Sequence, residues 1–431
     1  MTGSTLAEKN PRLTIPKEKP TLSASDAAKS SSSGALAVFQ IPSFRFQYGA
    51  DLLVAWAIEM EVIILAWYVL TATDSALLLA ILGALRFSGT LVAPMIGAFA
   101  DGWSRKRLLV AMRIIFALLA GLLGVLAFTD SLTPTLVFVV VTLSGLLRPA
   151  DMMLRQSVIA DTVPKAILTN ALGFFRMTVD SARMVGALVG ASLMALVGMT
   201  HAYAVIVVFY VVSTLLTLRI HETHQQRSNA RAQPVRDVVA SFEVLKHNPS
   251  IKYLLYLAFM VNATVLSISG GLLPLVARNV YGLDSLGLGW MAAAFAGGAM
   301  LGSLTTATLM RSIAPERLMF PSAVLWHAGM VVFGQIDNPA QGIPALGLIG
   351  LLSSFVMVPM ASCLLQRTPV EFRGRIMGLR QLAVFGLPLG LLVSGTLIEH
   401  GDIATTLSAY GFAGLLATLV IWAVWRRQAN S

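Results

Sequence analysis

The sequence predicts an all-α integral membrane protein, with twelve transmembrane helices arranged as two six-helix bundles. Three observations predict it. Of the 431 residues, 56% are hydrophobic and only 12% charged, with a mean hydropathy of +0.76, whereas a soluble domain carries roughly a quarter charged residues. The apolar residues fall into twelve runs long enough to cross a hydrocarbon core, which takes about 20 residues of helix. One polar stretch, residues 221–250, is the longest interior break and leaves six runs on each side. A spanning segment must satisfy its backbone internally, so such runs fold as helices. The alternation over about ten residues that marks a membrane β-barrel is absent from the sequence.

The first 47 residues are polar, with Lys9, Arg12, Lys17, Lys19, Lys29 and a serine run at Ser30–Ser33, and lack the apolar core of a secretory signal. They read as a disordered cytoplasmic tail, with Phe44-Arg45-Phe46 lying at the membrane interface. The N-terminal bundle spans 48–220, from runs at roughly 48–71, 75–98, 108–128, 133–156, 167–197 and 201–219. A cytoplasmic linker covers 221–250. The C-terminal bundle spans 251–425, from runs at roughly 251–277, 286–310, 317–335, 343–365, 376–398 and 404–425. Alternate connectors collect the cations: Arg105, Lys106 and Arg107, then Arg155 and Lys165, the linker arginines, Arg311 and Arg317, and Arg367, Arg373 and Arg375. The opposite connectors hold Asp74, Asp130, Asp284, Asp337, Glu399 and Asp402, with Arg278 as their one cation. Lys and Arg mark the cytoplasmic side, so both termini are expected there.

This partition also accounts for the net charge of +10. The cations follow topology, and no basic patch interleaved with aromatics resembles a groove for nucleic acid. Cys363 is the one cysteine and lies in an apolar run, so neither a disulfide framework nor a cysteine metal cage is expected. His221-x-x-His224 has metal-compatible spacing but lies in the linker without a third ligand. No metal or cofactor is expected. The chain has no phosphate-binding Gly-rich loop and no nucleophile-base arrangement, so an enzyme is not expected either.

The stretch Gly97-Ala98-Phe99-Ala100-Asp101-Gly102-Trp103-Ser104-Arg105-Lys106-Arg107 joins the second and third runs. Its pattern G-x-x-x-D-x-x-x-R-K-R resembles the loop between the second and third helices of the major facilitator superfamily. Arg148-Pro149-Ala150, Asn170-Ala171-Leu172, Ala182-Arg183-Met184-Val185-Gly186, Leu273-Pro274, Gln366-x-x-Pro369, Arg373-Gly374-Arg375 and Pro388-x-Gly390 follow in order. Together they look like the bacterial branch of that superfamily that includes the enterobactin exporter and macrolide-efflux proteins, over about residues 45–425. The resemblance implies the major facilitator fold in a bacterial inner membrane and two halves that rock about a central site. It also implies a cytoplasmic gate built from Gly97, Asp101, Gly102, Arg105, Lys106 and Arg107, with Arg373 and Arg375 in the matching loop of the second half. One departure stands out. Where drug antiporters of the superfamily carry Gly-Pro in the fifth helix, this chain reads Gly186-Ala187-Leu188-Val189-Gly190, whose small-xxx-small spacing still lets two backbones approach.

Ionisable residues at bilayer depth are costly and face a cavity or a partner. Here they concentrate in the first half: Asp51, Glu59 and Glu61 in the first run, Arg86 in the second, Arg113 in the third, Arg148 and Asp151 in the fourth, and Arg176, Asp180 and Arg183 in the fifth. At 100° per residue Glu59 and Glu61 point about 200° apart, so one is expected to face the cavity and the other a neighbouring helix. Arg86 is the expected counter-ion by depth. A carboxylate held away from water resists ionisation unless a cation offsets it, which suits a proton carrier; the alternative is a Glu–Arg bridge that only locks two helices. Arg176, Asp180 and Arg183 share a face, either as a cationic wall for an anionic or polyhydroxylated substrate or as a self-satisfied ion cluster. Arg148-Pro149 reads as a packing or gate element, or else a ligand contact.

The expected function is therefore a secondary transporter, with proton-driven export of a small organic molecule, siderophore-like metabolite or drug. The direction comes from the resemblance. Two other readings stay open: transport of iron or another ionic nutrient, and a transporter-shaped receptor or assembly factor that moves nothing. The expected partners are the substrate, a proton and the lipid bilayer.

Overall fold

The computed structural model describes residues 35–90, 104–221, 248–369 and 372–429. These are helical apart from short connectors, with no strand among the described residues. A short 3-10 helix, Ala35–Gln40, leads into α1 (Pro42–Thr73), which opens on proline and closes at Asp74, a left-handed residue whose N–H donates to the Leu70 carbonyl. Then come α2 (Ala76–Leu85), α3 (Arg105–Phe128) and α4 (Pro134–Thr162), whose N-cap side chains Ser75, Ser104 and Thr133 each accept from a backbone N–H three residues on. α5 (Leu168–Ser181) passes through a π turn, Ala182–Gly186, into α6 (Ala187–Leu218).

The second half holds α7 (Pro249–Val261), continued by π turns at Asn262–Leu266, Ile268–Leu272 and Val276–Val280. It goes on through α8 (Ser285–Leu309), α9 (Pro315–Phe333), α10 (Pro339–Arg367), α11 (Arg373–Ala383), α12 (Gly386–His400) and α13 (Ile403–Ala429).

Among the described residues, nine helical stretches are long and apolar enough to cross a membrane. One of them, Lys165–Leu218, takes in the fifth and sixth runs of the sequence, and Gly198 breaks it with a φ of 78° and ψ of 174°. A positive φ of this kind suits glycine, which has no Cβ to clash. The second run is described only as far as residue 90. α9 has 19 residues and carries Glu316, Arg317, His327 and two prolines, and it is not among those nine stretches.

The start of α1 differs from the sequence expectation. Residues 35–47, read as tail, are helical and packed. Phe44 is buried rather than lying at an interface, and Phe39, Phe44, Tyr48 and Phe174 form edge-on ring pairs that fasten the 3-10 helix to α1 and α5.

The first half packs around Val54, Ala57, Met60, Ile64, Phe116 and Tyr210. The second packs around Trp326, Phe320, Met330 and Val356. That second core continues into the first half through Ile63, Leu70, Ala76, Leu79, Ala80, Ala187 and Ala191. These residues sit toward the end of the bundle opposite the chain termini, so the halves share a sealed apolar seam at that far end.

Candidate functional site

Glycine crossings bring the polar residues of four helices together. A Cβ on Gly89 would meet the carbonyl oxygens of Gly145 and Leu146, and one on Gly145 would lie 2.6 Å from the Leu85 carbonyl oxygen. The chain after α2 and α4 therefore touch backbone to backbone. Arg86 precedes Gly89 by one helical turn and Arg148 follows Gly145 by one turn, so the crossing sets the two arginines side by side. Pro149 leaves the Gly145 carbonyl without its helical donor. A second crossing joins α1 to α5 and α6. A Cβ on Gly186 would lie 3.2 Å from Trp56 Cα and 3.4 Å from Glu59 Cβ, and one on Gly190 would lie 2.7 Å from Met60 Cα. The small-xxx-small pair read in the sequence thus does its packing against α1.

Glu59 faces Arg148 across this junction, with 3.5 Å between Oε1 and Nη2 and both side chains partly buried. Arg86 lies within electrostatic range of Glu59, Arg148 and Arg183, and its Nε is buried without a hydrogen-bond partner among the described residues. The counter-ion in contact with Glu59 is therefore Arg148, where the sequence reading expected Arg86, which lies beside it within electrostatic range. Glu61 faces the other way and accepts a hydrogen bond of 2.9 Å from the Tyr210 hydroxyl of α6. The two carboxylates diverge as their spacing requires. On α5, Arg176 and Asp180 pair at 3.1 Å along one helix face, while Arg183, in the π turn, is exposed and has no carboxylate partner among the described residues. Arg380 of α11 lies within electrostatic range of Arg176, so this row of charges reaches into the second half.

A separate cluster is sealed. Asp51 pairs with Arg113 and lies 3.8 Å from Arg155, which pairs with Asp151; all four side chains are at most 5% exposed. Arg113 also donates to Thr217 and to the Ser213 carbonyl, and Gln47 donates to the Arg155 carbonyl at 2.8 Å. Two carboxylates balance two guanidiniums, which makes this a lock between α1, α3, α4 and α6 rather than a site. Arg155, read in the sequence as a loop residue, is inside α4 because that helix runs on to Thr162.

At the far end, charges from the second half cap helices of the first. Arg278 donates to Asp74 at 2.7 Å and to the Leu70 carbonyl at 3.1 Å. Glu399 accepts from the Ser75 hydroxyl at 2.9 Å and from the Leu77 N–H at 3.1 Å. A cation thus meets the C-terminus of α1 and an anion the N-terminus of α2, each the favourable sign for a helix dipole.

The sequence profile of the Major Facilitator Superfamily matches residues 48–387 and, in a second overlapping match, 255–431. The chain is a member of that superfamily. Among similar superfamily transporters, the staphyloferrin A transporter of Staphylococcus aureus is 23% identical, over 84% of this chain and 91% of its own length. The enterobactin exporter EntS of Escherichia coli is 25% identical over 79% and 81%. The crystal structure of the nucleoside transporter NupG superposes with a TM-score of 0.73 at 13% identity, covering 88% of this chain and 98% of that one, which shows the shared fold.

Of the superfamily gate motif, Gly97, Asp101 and Gly102 lie outside the described residues. Arg105 pairs with Asp161 of α4 at 2.8 Å, Lys106 donates to the Ile220 carbonyl at 2.6 Å, and Arg107 supplies the N–H that Ser104 caps. Arg373 donates to the Leu365 carbonyl at 3.1 Å, away from the central charges; the Arg375 side chain lies outside the described residues, as does His224. His327 is held by Thr264 and the Ala323 carbonyl, a packing role. Sequence reasoning missed Asp161 and Arg380. The signal for Arg380 was its place two turns after Arg373, inside the eleventh apolar run.

Proposed function

We propose that this superfamily transporter exports a small organic molecule, siderophore-like metabolite or drug, by alternating access coupled to protons. It does so with twelve passes in two six-helix halves, residues 48–220 and 251–425, and with both termini on the cytoplasmic side of a bacterial inner membrane. The observation that carries the reading is the Glu59–Arg148 pair at the junction of α1, α2, α4 and α5, with Glu61 on the opposite face of α1. Buried ionisable groups at mid-membrane depth mark a transport path. Export is supported by the exporter among the relatives, and sidedness by the partition of cations between connectors. Glu61 has a neutral donor and no cation in contact among the described residues, so its proton can come and go without orphaning an arginine. Glu59 faces the cleft and holds Arg148 until substrate arrives.

The halves meet at the far end through the apolar seam and the Arg278 and Glu399 contacts, which suits a state closed to the outside. The test is flux in proteoliposomes under an imposed pH gradient. Glu61→Gln is expected to abolish driven flux yet keep counterflow, because binding and rocking survive without the titrating charge. Driven flux that persists in both Glu59→Gln and Glu61→Gln would remove α1 as the proton site.

A further inference from the structure

We propose that the cleft between the halves binds an anion carrying more than one carboxylate, held by Arg86, Arg183 and Arg380 with help from Arg148 and Arg176. The proposal rests on the transporter reading and adds the substrate class. Charge balance carries it. The three carboxylates of this region are each engaged: Glu59 by Arg148, Asp180 by Arg176, Glu61 by Tyr210. Arg86, Arg183 and Arg380 have no carboxylate partner among the described residues. The charge left over is positive, so the ligand that completes it is negative. A cationic substrate would have to displace an arginine and leave further guanidiniums unmatched.

Position agrees with chemistry. Along α5, Arg176 lies about 12 Å and Arg183 about 22 Å from the helix start at Leu168, both at membrane depth. Both are exposed in the protein. Exposed guanidiniums at that depth face a water-filled cleft rather than lipid. Electrostatic neighbours run from Arg86 to Arg183 in the first half and from Arg176 to Arg380 in the second. The roughly 10 Å between Arg176 and Arg183 exceeds the reach of one small oxyanion, and guanidinium forks bind carboxylates in pairs of hydrogen bonds. Hence an extended anion with several carboxylates fits better than a single phosphate. The membrane potential, negative inside, also favours the outward passage of such an ion.

The test is a thermal-shift titration of the purified full chain with citrate, at fixed pH and ionic strength. Inorganic phosphate and the organic cation ethidium serve as comparison probes. Citrate is expected to stabilise the wild type above sodium chloride of equal ionic strength. Arg183→Gln and Arg380→Gln should each raise the half-saturating citrate concentration by roughly tenfold, while Arg380→Lys should lose less. Glu59→Gln, which frees Arg148, should lower it. If a Gln variant fails to fold, its Lys counterpart gives the reading. Stabilisation by phosphate or ethidium but not citrate, no citrate effect in the wild type, or unchanged citrate affinity in the arginine variants would each overturn the proposal. Because the titration needs no flux, it can fail while the Glu59 and Glu61 flux result stands, and the reverse.

Discussion

Arg278 and Asp74 approach to 2.7 Å across the boundary between the halves, at the end opposite the chain termini. One belongs to the last turn of the α7 segment and the other caps α1. In the proposed rocking cycle this contact would form only while the far ends of the two halves are together, so it would report on conformation.

Loosening this clasp should favour opening at the far end. Exposed ion pairs contribute about 0–1 kcal/mol, and charges at helix ends about 0.3–1 kcal/mol. Arg278→Gln combined with Glu399→Gln is therefore expected to shift the conformational balance severalfold without unfolding the protein. The measurement is the maleimide labelling rate of a cysteine at Leu391, which is fully buried in the seam against Gly83 and Gly271, in a Cys363→Ser background. Unchanged labelling would mean that the clasp does not set the balance.

The sealed cluster should behave as a lock. Arg113→Leu leaves Asp51 buried without its main partner and is expected to cost about 3–5 kcal/mol. Pairing it with Asp51→Leu should recover most of that loss, since an apolar pair can replace a balanced ionic one. Thermal unfolding in detergent distinguishes the two. A double variant as unstable as the single one would argue that Asp51 does more than neutralise Arg113.

Gly145→Ala should be felt at two levels. The added methyl would lie 2.6 Å from the Leu85 carbonyl oxygen, and forcing α2 and α4 apart is expected to cost about 1–3 kcal/mol. It also separates Arg86 from Arg148, so citrate binding should weaken along with stability. Loss of stability alone would detach the crossing from the site.

If the Arg105–Asp161 pair belongs to the proposed gate, its effect should be mainly kinetic. Arg105→Asp should cost about 1 kcal/mol of stability, because the pair with Asp161 is partly exposed, but should slow transport. The swap Arg105→Asp with Asp161→Arg restores the pair and should restore the rate, read as counterflow in proteoliposomes.

The fold was legible where a physical rule leaves little choice. Apolar runs in lipid have to be helices, and the cations of Arg105–Arg107 and the carboxylates of Asp74 and Glu399 fall on opposite connectors. The divergence of Glu59 and Glu61 was legible too, because it follows from 100° per residue alone. Their partners were not. Arg86 and Arg148 both lie at suitable depth, and the contact of Gly89 with Gly145 that sets them side by side is a tertiary feature that no single helix shows. Arg155 looked like a loop cation because an apolar run ends before it, although α4 continues and Asp51 and Asp151 compensate its charge. Phe44 looked interfacial because nothing in a single helix shows that Phe39 and Phe174 will close over it.

The most direct test of alternating access is the distance between the halves at both ends, by pulsed electron paramagnetic resonance in lipid nanodiscs. Spin labels at Ser131 and Gln341 read the far end, and labels at Arg107 and Arg317 read the terminal end, each pair in a Cys363→Ser background. The expected result is two populations at each end, with citrate and pH moving the far-end and terminal-end distances in opposite senses. A single distance at both ends, unmoved by citrate, by pH or by the Arg278→Gln and Glu399→Gln changes, would contradict a rocking transporter and favour a receptor that keeps one shape.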